Sequence, residues 1–321
     1  MTGLLTGTGN WLTQHEEVVV RTSPADAPGY WAGAPSAIYD RDTRSYYLYY
    51  RLRRPRGMGR GYQARIARSQ DGFEFEDILR IEGEELHSPS LERGFLIRKG
   101  GEWLLYLSYV HPATNQWQID LVRASRIEDL DVSTAKPVLT PDAVGGHAVK
   151  DPVVLRQGPL WYMYVSYAPA ALLDATGAES LHQSQDVFTT GLVRSHTGLA
   201  VSLDGEHYAW QGEVLGSSPE GWDSLVSRIS GLMRSGEVYL AFYDGAADVT
   251  ENYEERGGLA VTADLRHFYK LSSSLPWFQS AYGSARYVCP LTGPKGTLLY
   301  YEAAAESGAH YLCARRITWE A

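Results

Sequence analysis

Two carboxylates stand out as candidates for acid–base chemistry, Glu92 and Asp151, because each opens a short apolar segment of similar composition. Cleavage of a glycosidic bond needs a proton donor to the leaving oxygen, and usually a second carboxylate that acts as base or nucleophile. Neighbouring cations would lower the pKa of either carboxyl group, whereas burial or a second carboxylate would raise it. The sequence leaves the direction of that shift open.

Basic, aromatic and histidine side chains at or near equivalent positions could contact a ligand. Arginine can hold a carboxylate or phosphate by paired hydrogen bonds, tryptophan can stack on a sugar ring, and histidine can carry a proton. The candidate ligand-binding residues are Trp31, His87, Arg93, His147, Lys150, Arg228 and Arg286. No spacing matches a metal-ligand motif, so we expect no metal site and no cofactor, with a structural calcium ion in a central channel left open.

These candidates belong to a repeat that runs through the whole chain. Each repeat has a short apolar strand, a turn and an aromatic-rich strand, as in residues 151–155 followed by 161–167. The five repeats open near residues 34, 92, 151, 228 and 286, and three of the four spacings agree within one residue. A third strand and an Asp-centred turn then follow, as at residues 69–72, where glycine tolerates the positive φ of a tight turn.

Four strands in each of five repeats predict an all-β chain that folds as a single-domain, five-bladed β-propeller over residues 1–321. Helical periodicity is nearly absent, which agrees with this prediction. The spare strand near residues 16–21 is expected to close the ring beside the fifth blade. Since the first strand of each propeller blade lines the central channel, the strand openings should converge at one mouth.

Two longer polar segments could cover that mouth. The insertion of the third repeat spans residues 174–195, and a second polar segment spans residues 248–256. Long loops in compact domains are often functional lids. The plainer interpretation of the second segment is an exposed hairpin tip.

Composition excludes several classes of function. The net charge of −9 and the pI of about 5.5 argue against nucleic-acid binding, which needs clustered cations. No apolar run is long enough for a membrane span and no leader peptide is recognisable, so we expect a cytoplasmic protein. The cysteines, Cys289 and Cys313, are expected to be buried free thiols, with a disulfide between them left open. The 22 tyrosines and 9 tryptophans favour a small carbohydrate as ligand, with an acidic small molecule as the alternative.

The chain resembles the five-bladed propeller glycoside hydrolases, above all family 43, with echoes of family 32 and of the family 130 phosphorylases. Residues 150–154 followed by 161–164 are similar to the Asp-Pro strand openings of these families, whose carboxylate faces the central pocket. The resemblance implies a base Asp on the first blade, a second Asp that tunes the acid, and an acid Glu on a later blade. Here the first opening reads Ala34-Pro35 and the fourth reads Ser227-Arg228-Ile229, so only Asp151 matches.

The sequence therefore predicts a glycoside hydrolase-like enzyme in which Asp151 and Glu92 supply the acid–base chemistry. Three alternatives stay open. The first is a phosphate-dependent phosphorylase in which one Asp is the acid and Arg228 and Arg286 hold phosphate. The others are a degenerate propeller that only binds a carbohydrate or acidic metabolite, and a pocket reused for unrelated chemistry.

Overall fold

The computed structural model describes residues 12–170, 181 and 186–319. This part of the chain is nearly all β, with twenty strands and few helical turns, among them α1 (Pro141–Val144). Runs of Tyr, Val, Leu and Ala bounded by Gly, Asp and Pro produce this architecture, because aromatic and β-branched side chains pack well on a pleated surface. The described residues include no helix with the length and apolarity of a membrane span.

The strands follow the chain in five groups. The first contains β1 (Leu12–Arg21), β2 (Trp31–Asp40), β3 (Ser45–Arg53), β4 (Gln63–Ser69) and β5 (Glu76–Glu82). The second contains β6 (Leu91–Lys99), β7 (Glu102–Val110), β8 (Trp117–Ala124) and β9 (Lys136–Leu139). The third contains β10 (Gly146–Gln157), β11 (Leu160–Pro169), β12 (His196–Ser202) and β13 (Ala209–Leu215). The fourth contains β14 (Val226–Ser235), β15 (Val238–Ala246), β16 (Arg256–Thr262) and β17 (Tyr269–Lys270), and the fifth β18 (Ala285–Gly293), β19 (Gly296–Ala304) and β20 (His310–Trp319).

Antiparallel pairing within the groups gives four sheets. The second, third and fourth groups each form one four-stranded sheet in chain order. The first and fifth groups share an eight-stranded sheet, in which the parallel pair Trp31–His310 joins β2 to β20. The strand near residues 16–21 lies within β1, which pairs antiparallel with β20. The first and last described strands therefore meet in one sheet.

We term β2, β6, β10, β14 and β18 the first strands of their groups, since β1 only extends the shared sheet beside β20. Each first strand carries a bulge near its start. In β2, β6, β10 and β18 the register skips two residues, and in β14 it skips one after Ile229. Ala34, Asp151 and Tyr287 occupy the first bulge position and have left-handed φ values of 53°, 56° and 55°. This register corrects the alignment drawn from sequence. Neither Arg286 nor Arg228 stands level with Asp151, because Arg286 still pairs with β19 and Arg228 with β15 ahead of the bulge, and Tyr287 holds the position of Asp151 in β18.

Buried tyrosines fasten neighbouring groups to the Asp-centred turns. The hydroxyl of Tyr300 donates to the carbonyl of Gly72 at 2.8 Å, and that of Tyr106 donates to Gly205 at 2.6 Å. Tyr164 makes the same bond to Leu265 at 2.8 Å. A buried Tyr hydroxyl requires such a partner, so each bond helps to set how one strand group packs against the next.

The hydrophobic core lies between adjacent sheets. One cluster joins Tyr49 of β3 to Leu96 of β6 and Leu105 of β7, and equivalent clusters lie between the other groups. Each large side chain buried in this way contributes about 1.5–3 kcal/mol. Cys289 and Cys313 are free and buried in the core, as expected.

Candidate functional site

The starts of the first strands converge on one place. β2 contacts β6, β6 contacts β10, β10 contacts β14, β14 contacts β18, and β18 contacts β2. The bulged starts of these strands lie around a shared centre, and second strands add residues that pair with them. Charged residues collect there with none more than 4 % exposed.

Eight of these residues form a closed circuit of alternating charge, which we term the charge ring. Its members are Arg51, Glu92, Lys150, Asp151, Arg228, Glu255, Arg286 and Glu302. The N–O distances around the ring are Arg51–Glu92 3.2 Å, Glu92–Lys150 3.7 Å, Lys150–Asp151 3.5 Å, Asp151–Arg228 3.2 Å and Arg228–Glu255 3.4 Å. Glu255 also pairs with Arg286, which lies 2.7 Å from Glu302, and Glu302 lies 3.1 Å from Arg51 and closes the circuit. Four cations and four carboxylates thus neutralise one another.

Two further groups brace the ring from outside. Asp244 accepts from Arg228 Nε and Nη2 at 3.1 and 2.9 Å, and from the backbone N–H of Tyr287. His310 Nδ1 lies 2.9 Å from Glu302, and its Nε2 lies 3.2 Å from Glu254. Although burial acts in the opposite direction, the hydrogen bonds to Glu254 and Glu302 raise the pKa of His310.

Two of the ring carboxylates, Glu92 and Glu255, are held in their ionised form. Burial raises the pKa of Glu92, but the charges of Arg51 and Lys150 outweigh burial and lower that pKa to about 2. Arg286 and Arg228 lower the pKa of Glu255 to about 2 against the same effect of burial. In this arrangement neither carboxylate can donate a proton near neutral pH.

Glu92 and Asp151 lie on either side of one ammonium group. Lys150 Nζ is 3.7 Å from Glu92 Oε2 and 3.5 Å from Asp151 Oδ2. The facing oxygens are therefore at most about 7 Å apart, an upper limit that agrees with the separations of about 5–9.5 Å at which carboxyl pairs flank a glycosidic bond, although here Lys150 Nζ lies within 4 Å of both. Asp151 Oδ1 is buried and has no hydrogen-bond partner among the described residues. Asp151 is fully buried, however, and the cavity beside the ring is lined by Glu92 and not by Asp151.

A narrow cavity lies over the ring. Its volume of about 10 Å³ is enough for roughly one water molecule. Asp186, Phe188, Asn252 and Tyr253 line the cavity together with ring residues. Arg60 Nη1 donates to Asp186 at 3.2 Å and to the Tyr253 hydroxyl at 3.2 Å, and Tyr253 also donates to Asp186. These bonds tie two cavity-lining segments together, so a larger ligand has to displace them.

Five residues singled out from sequence meet in the ring. Lys150, Arg228 and Arg286 lie beside the carboxylates Asp151 and Glu92. All three cations are already paired with carboxylates of the chain, which makes them counter-ions of the ring. None of the three cations is therefore left without a carboxylate partner, as a phosphate-binding residue would be.

The remaining predicted ligand-binding residues have other surroundings. Arg93 donates to the carbonyls of Pro35 and Ser230 and so ties together three first strands, because the bulge directs it away from the cavity. Trp31 is buried, and three cationic or imidazole groups lie within 5 Å of its ring, which leaves no open face for a sugar. His87 is exposed at the end of a 3-10 turn, and His147 is half-buried on β10; neither lines the cavity.

The two polar segments have different outcomes. Segment 248–256 is more than an exposed tip, because it supplies Tyr253 to the cavity and Glu255 to the ring. Of the insertion at 174–195, residues 174–180 and 182–185 lie outside the described residues, while Asp186 and Phe188 line the cavity. Among the described residues no three His, Cys, Asp or Glu side chains form a group that could hold a metal ion, and the calcium ion in the channel stays a prediction.

Sequence reasoning missed the ring members that come from second strands. Arg51 and Glu302 belong to the ring, and Asp244 braces it. Each is a charged residue directly after an aromatic run, following Tyr50, Tyr301 or Tyr243. A charged residue where the pattern calls for an apolar one could have predicted these positions, since a charge in a buried strand needs a partner of opposite charge.

No protein-family profile and no curated protein sequence matches the chain. Solved structures do match it. A thermostable family-43 glycoside hydrolase has a TM-score of 0.63 and 14% identity, with 94% of this chain and 93% of that chain covered. The α-L-arabinofuranosidase from Lactobacillus brevis has a TM-score of 0.63 and 15% identity, with 94% of this chain and 92% of that chain covered.

The β-1,2-mannobiose phosphorylase from Listeria innocua, solved with β-1,2-mannobiose, has a TM-score of 0.60 and 12% identity, with 97% of this chain and 92% of that chain covered. At these identities the likeness concerns the fold. The resemblance to propeller glycoside hydrolases and phosphorylases is therefore confirmed as a shared β-propeller-type fold.

Proposed function

Because the chain shares the β-propeller-type fold of solved glycoside hydrolases, we propose that it cleaves a glycosidic bond of a small carbohydrate at the cavity over the charge ring. We take the five strand groups as the five blades of one propeller that forms a single domain. The cyclic contacts between first strands and the joint between β2 and β20 support this interpretation. The ring then lies at the mouth of the central channel.

The separation of Glu92 and Asp151 is the observation that carries the proposal. Their facing oxygens are within about 7 Å of each other across Lys150. In this scheme Asp151 is the proton donor, through its Oδ1, which has no partner among the described residues. Asp151 does not line the cavity, so the scheme requires the lining residues to move before a ligand reaches it. Glu92, whose pKa is lowered to about 2, stays ionised and is the second carboxylate of the pair, better suited to act as nucleophile than as general base.

The existing ion pairs of Arg228 and Arg286 favour hydrolysis over phosphorolysis. Phosphate would have to take Arg228 from Asp151, Asp244 and Glu255, and Arg286 from Glu255 and Glu302. Removing one partner from a buried ion pair costs about 3–5 kcal/mol. Water as the acceptor avoids that cost.

Sugar binding without cleavage is the second candidate. Both carboxylates are paired with cations, and the cavity holds only about one water molecule. A ring of alternating charges can donate and accept hydrogen bonds to many hydroxyl groups without doing chemistry. Either function requires displacement of the segments that Arg60, Asp186 and Tyr253 hold together.

The test is turnover of a panel of 4-nitrophenyl glycosides, with and without inorganic phosphate. We expect release of nitrophenol in phosphate-free buffer, and a loss of at least about 100-fold in kcat for Asp151→Asn. Asp120→Asn is the matched control, because Asp120 is a buried carboxylate that pairs with Tyr109 and Gln118 outside the ring. Strict dependence on phosphate would favour the phosphorylase, and sugar binding by calorimetry without turnover would favour the binding protein.

A further inference from the structure

Arg53 differs from the other arginines near the cavity. It ends β3 and is 3 % exposed, and its guanidinium carbon lies 3.9 Å from the ring centre of Trp31 and 4.0 Å from that of Tyr253. Within the described residues it has no carboxylate within 4 Å and its guanidinium makes no hydrogen bond, while Nε is buried. Arg51, two residues earlier, pairs with both Glu92 and Glu302.

A buried cation without a partner is unfavourable, and burial lowers the pKa of Arg53 to about 10. The two aromatic rings stabilise the faces of the guanidinium by cation–π attraction. They offer nothing to its N–H groups, which lie in the plane of the guanidinium. Two parallel hydrogen bonds from this planar edge to a carboxylate are the contact for which a guanidinium is best shaped.

We propose that Arg53 binds a carboxylate of the ligand, which makes the ligand an acidic sugar of the hexuronic acid type. This inference rests on the proposed carbohydrate site. Tyr253 lines the cavity and packs on Arg53, so the guanidinium is one aromatic ring away from the ligand. Tyr253 also has a left-handed φ of 84°, a strained conformation that displacement of its segment would relieve.

The surrounding charges favour a single negative charge on the ligand. The charged groups that act most on the pKa of Arg53 are Arg51, Glu92 and Arg60. Arg51 pairs with Glu92, and Arg60 pairs with Asp186 at 3.2 Å. One positive charge is therefore left for the ligand, and the carboxylates of Glu92 and Asp186 would repel a dianionic phosphate.

Calorimetric titration of matched sugar pairs tests the proposal. The probes are D-galacturonate against D-galactose, D-glucuronate against D-glucose, and inorganic phosphate. For one pair at least, we expect the acid to bind the wild-type protein ten or more times tighter than the neutral sugar. Arg53→Gln should abolish this preference and change the affinity for the neutral sugar less than twofold. Arg54→Gln, which removes an exposed neighbouring arginine, should keep the preference.

Several outcomes would overturn the proposal: no binding of either acid, equal affinity for acid and neutral sugar, or a preference that survives Arg53→Gln. Binding of phosphate alone that is lost in Arg53→Gln would assign the site to phosphate and contradict the carboxylate. Stability gives a readout independent of ligand. Arg53→Met should keep or raise Tm, because an unpaired buried charge disappears, whereas a clear fall in Tm would mark Arg53 as a structural strut.

The proposed function can fail separately. If Asp151→Asn leaves turnover unchanged while Arg53 still selects acidic sugars, the assignment of the proton donor is wrong and the carboxylate subsite stands. If turnover depends on Asp151 while Arg53→Gln has no effect on acid preference, the carboxylate subsite is wrong and the proposed function stands.

Discussion

The carboxylate of Glu302 fills the space beside Gly33 in which any other residue would carry its side chain. An ideal Cβ on Gly33 would lie 1.9 Å from Glu302 Oε2. The equivalent positions ahead of the bulge in three other first strands hold Lys150, Arg228 and Arg286, which are all cations of the ring. The first repeat contributes an empty position instead, and Glu302 uses it to reach Arg51.

Gly33→Ala should therefore disrupt the ring and destabilise the fold. The added methyl group would push a fully buried carboxylate away from Arg51 and Arg286, with a loss of about 2–4 kcal/mol in the free energy of unfolding. Urea denaturation at pH 7 measures this loss. Gly83→Ala is the control, since its nearest neighbour would lie 3.2 Å away and the cost should be much smaller. Equal losses in the two variants would contradict the packing argument.

Glu92 should contribute to stability in a pH-dependent way. Its pKa falls from 4.5 to about 2 on folding. The contribution, about 3 kcal/mol, is therefore present above the unfolded pKa and is lost as pH falls from about 5 to 2. At pH 7, Glu92→Gln should lower the free energy of unfolding by about 3–5 kcal/mol, because Arg51 and Lys150 lose a partner.

The deficit of Glu92→Gln should narrow as the pH falls through this window. Denaturant titrations at several pH values between 7 and 3 measure it, with the exposed Glu220→Gln as control. A deficit that stays constant with pH would mean that Glu92 is not the titrating group.

His310 should act in the opposite direction. Its pKa is raised above the ordinary value of 6.5 through its bonds to Glu254 and Glu302. Its stabilising contribution is therefore complete below the unfolded pKa and disappears as pH rises through the raised folded pKa. His310→Gln should cost more stability at pH 6 than at pH 9, and thermal unfolding at both pH values measures the difference. The exposed His267→Gln serves as control, and an equal cost at both pH values would contradict the prediction.

The tyrosine bonds between neighbouring groups should carry measurable stability. Tyr300→Phe removes the hydroxyl that donates to Gly72 and leaves a buried carbonyl without its donor. We expect a loss of about 1–2 kcal/mol in denaturant unfolding. Tyr269→Phe, at a side chain that is 70 % exposed, should change stability little. An equal change in the free energy of unfolding for both variants would show that the hydrogen bond from Tyr300 to Gly72 does not stabilise the fold.

The repeated strands could be predicted because their signals are local. Alternation of apolar residues, aromatic runs and Asp-Gly turns act within a few residues, so the spacing of the repeat determines an all-β chain. The same spacing brought Asp151, Lys150, Arg228 and Arg286 to equivalent strand starts. It placed Arg228 and Arg286 out of step with Asp151, because a bulge changes register without altering the local composition.

The sequence by itself thus determined the repeat, the strand order within it and most of the residues at the centre. Only the tertiary structure decided their partners. Arg51 and Glu302 are 251 residues apart along the chain and meet because the first and last groups share a sheet. Likewise, nothing in the sequence distinguishes Arg53 from the other arginines of its basic run. Only the folded structure places it between Trp31 and Tyr253. Which charge is neutralised and which is left for a ligand depends on distances across sheets, and no local pattern encodes those distances.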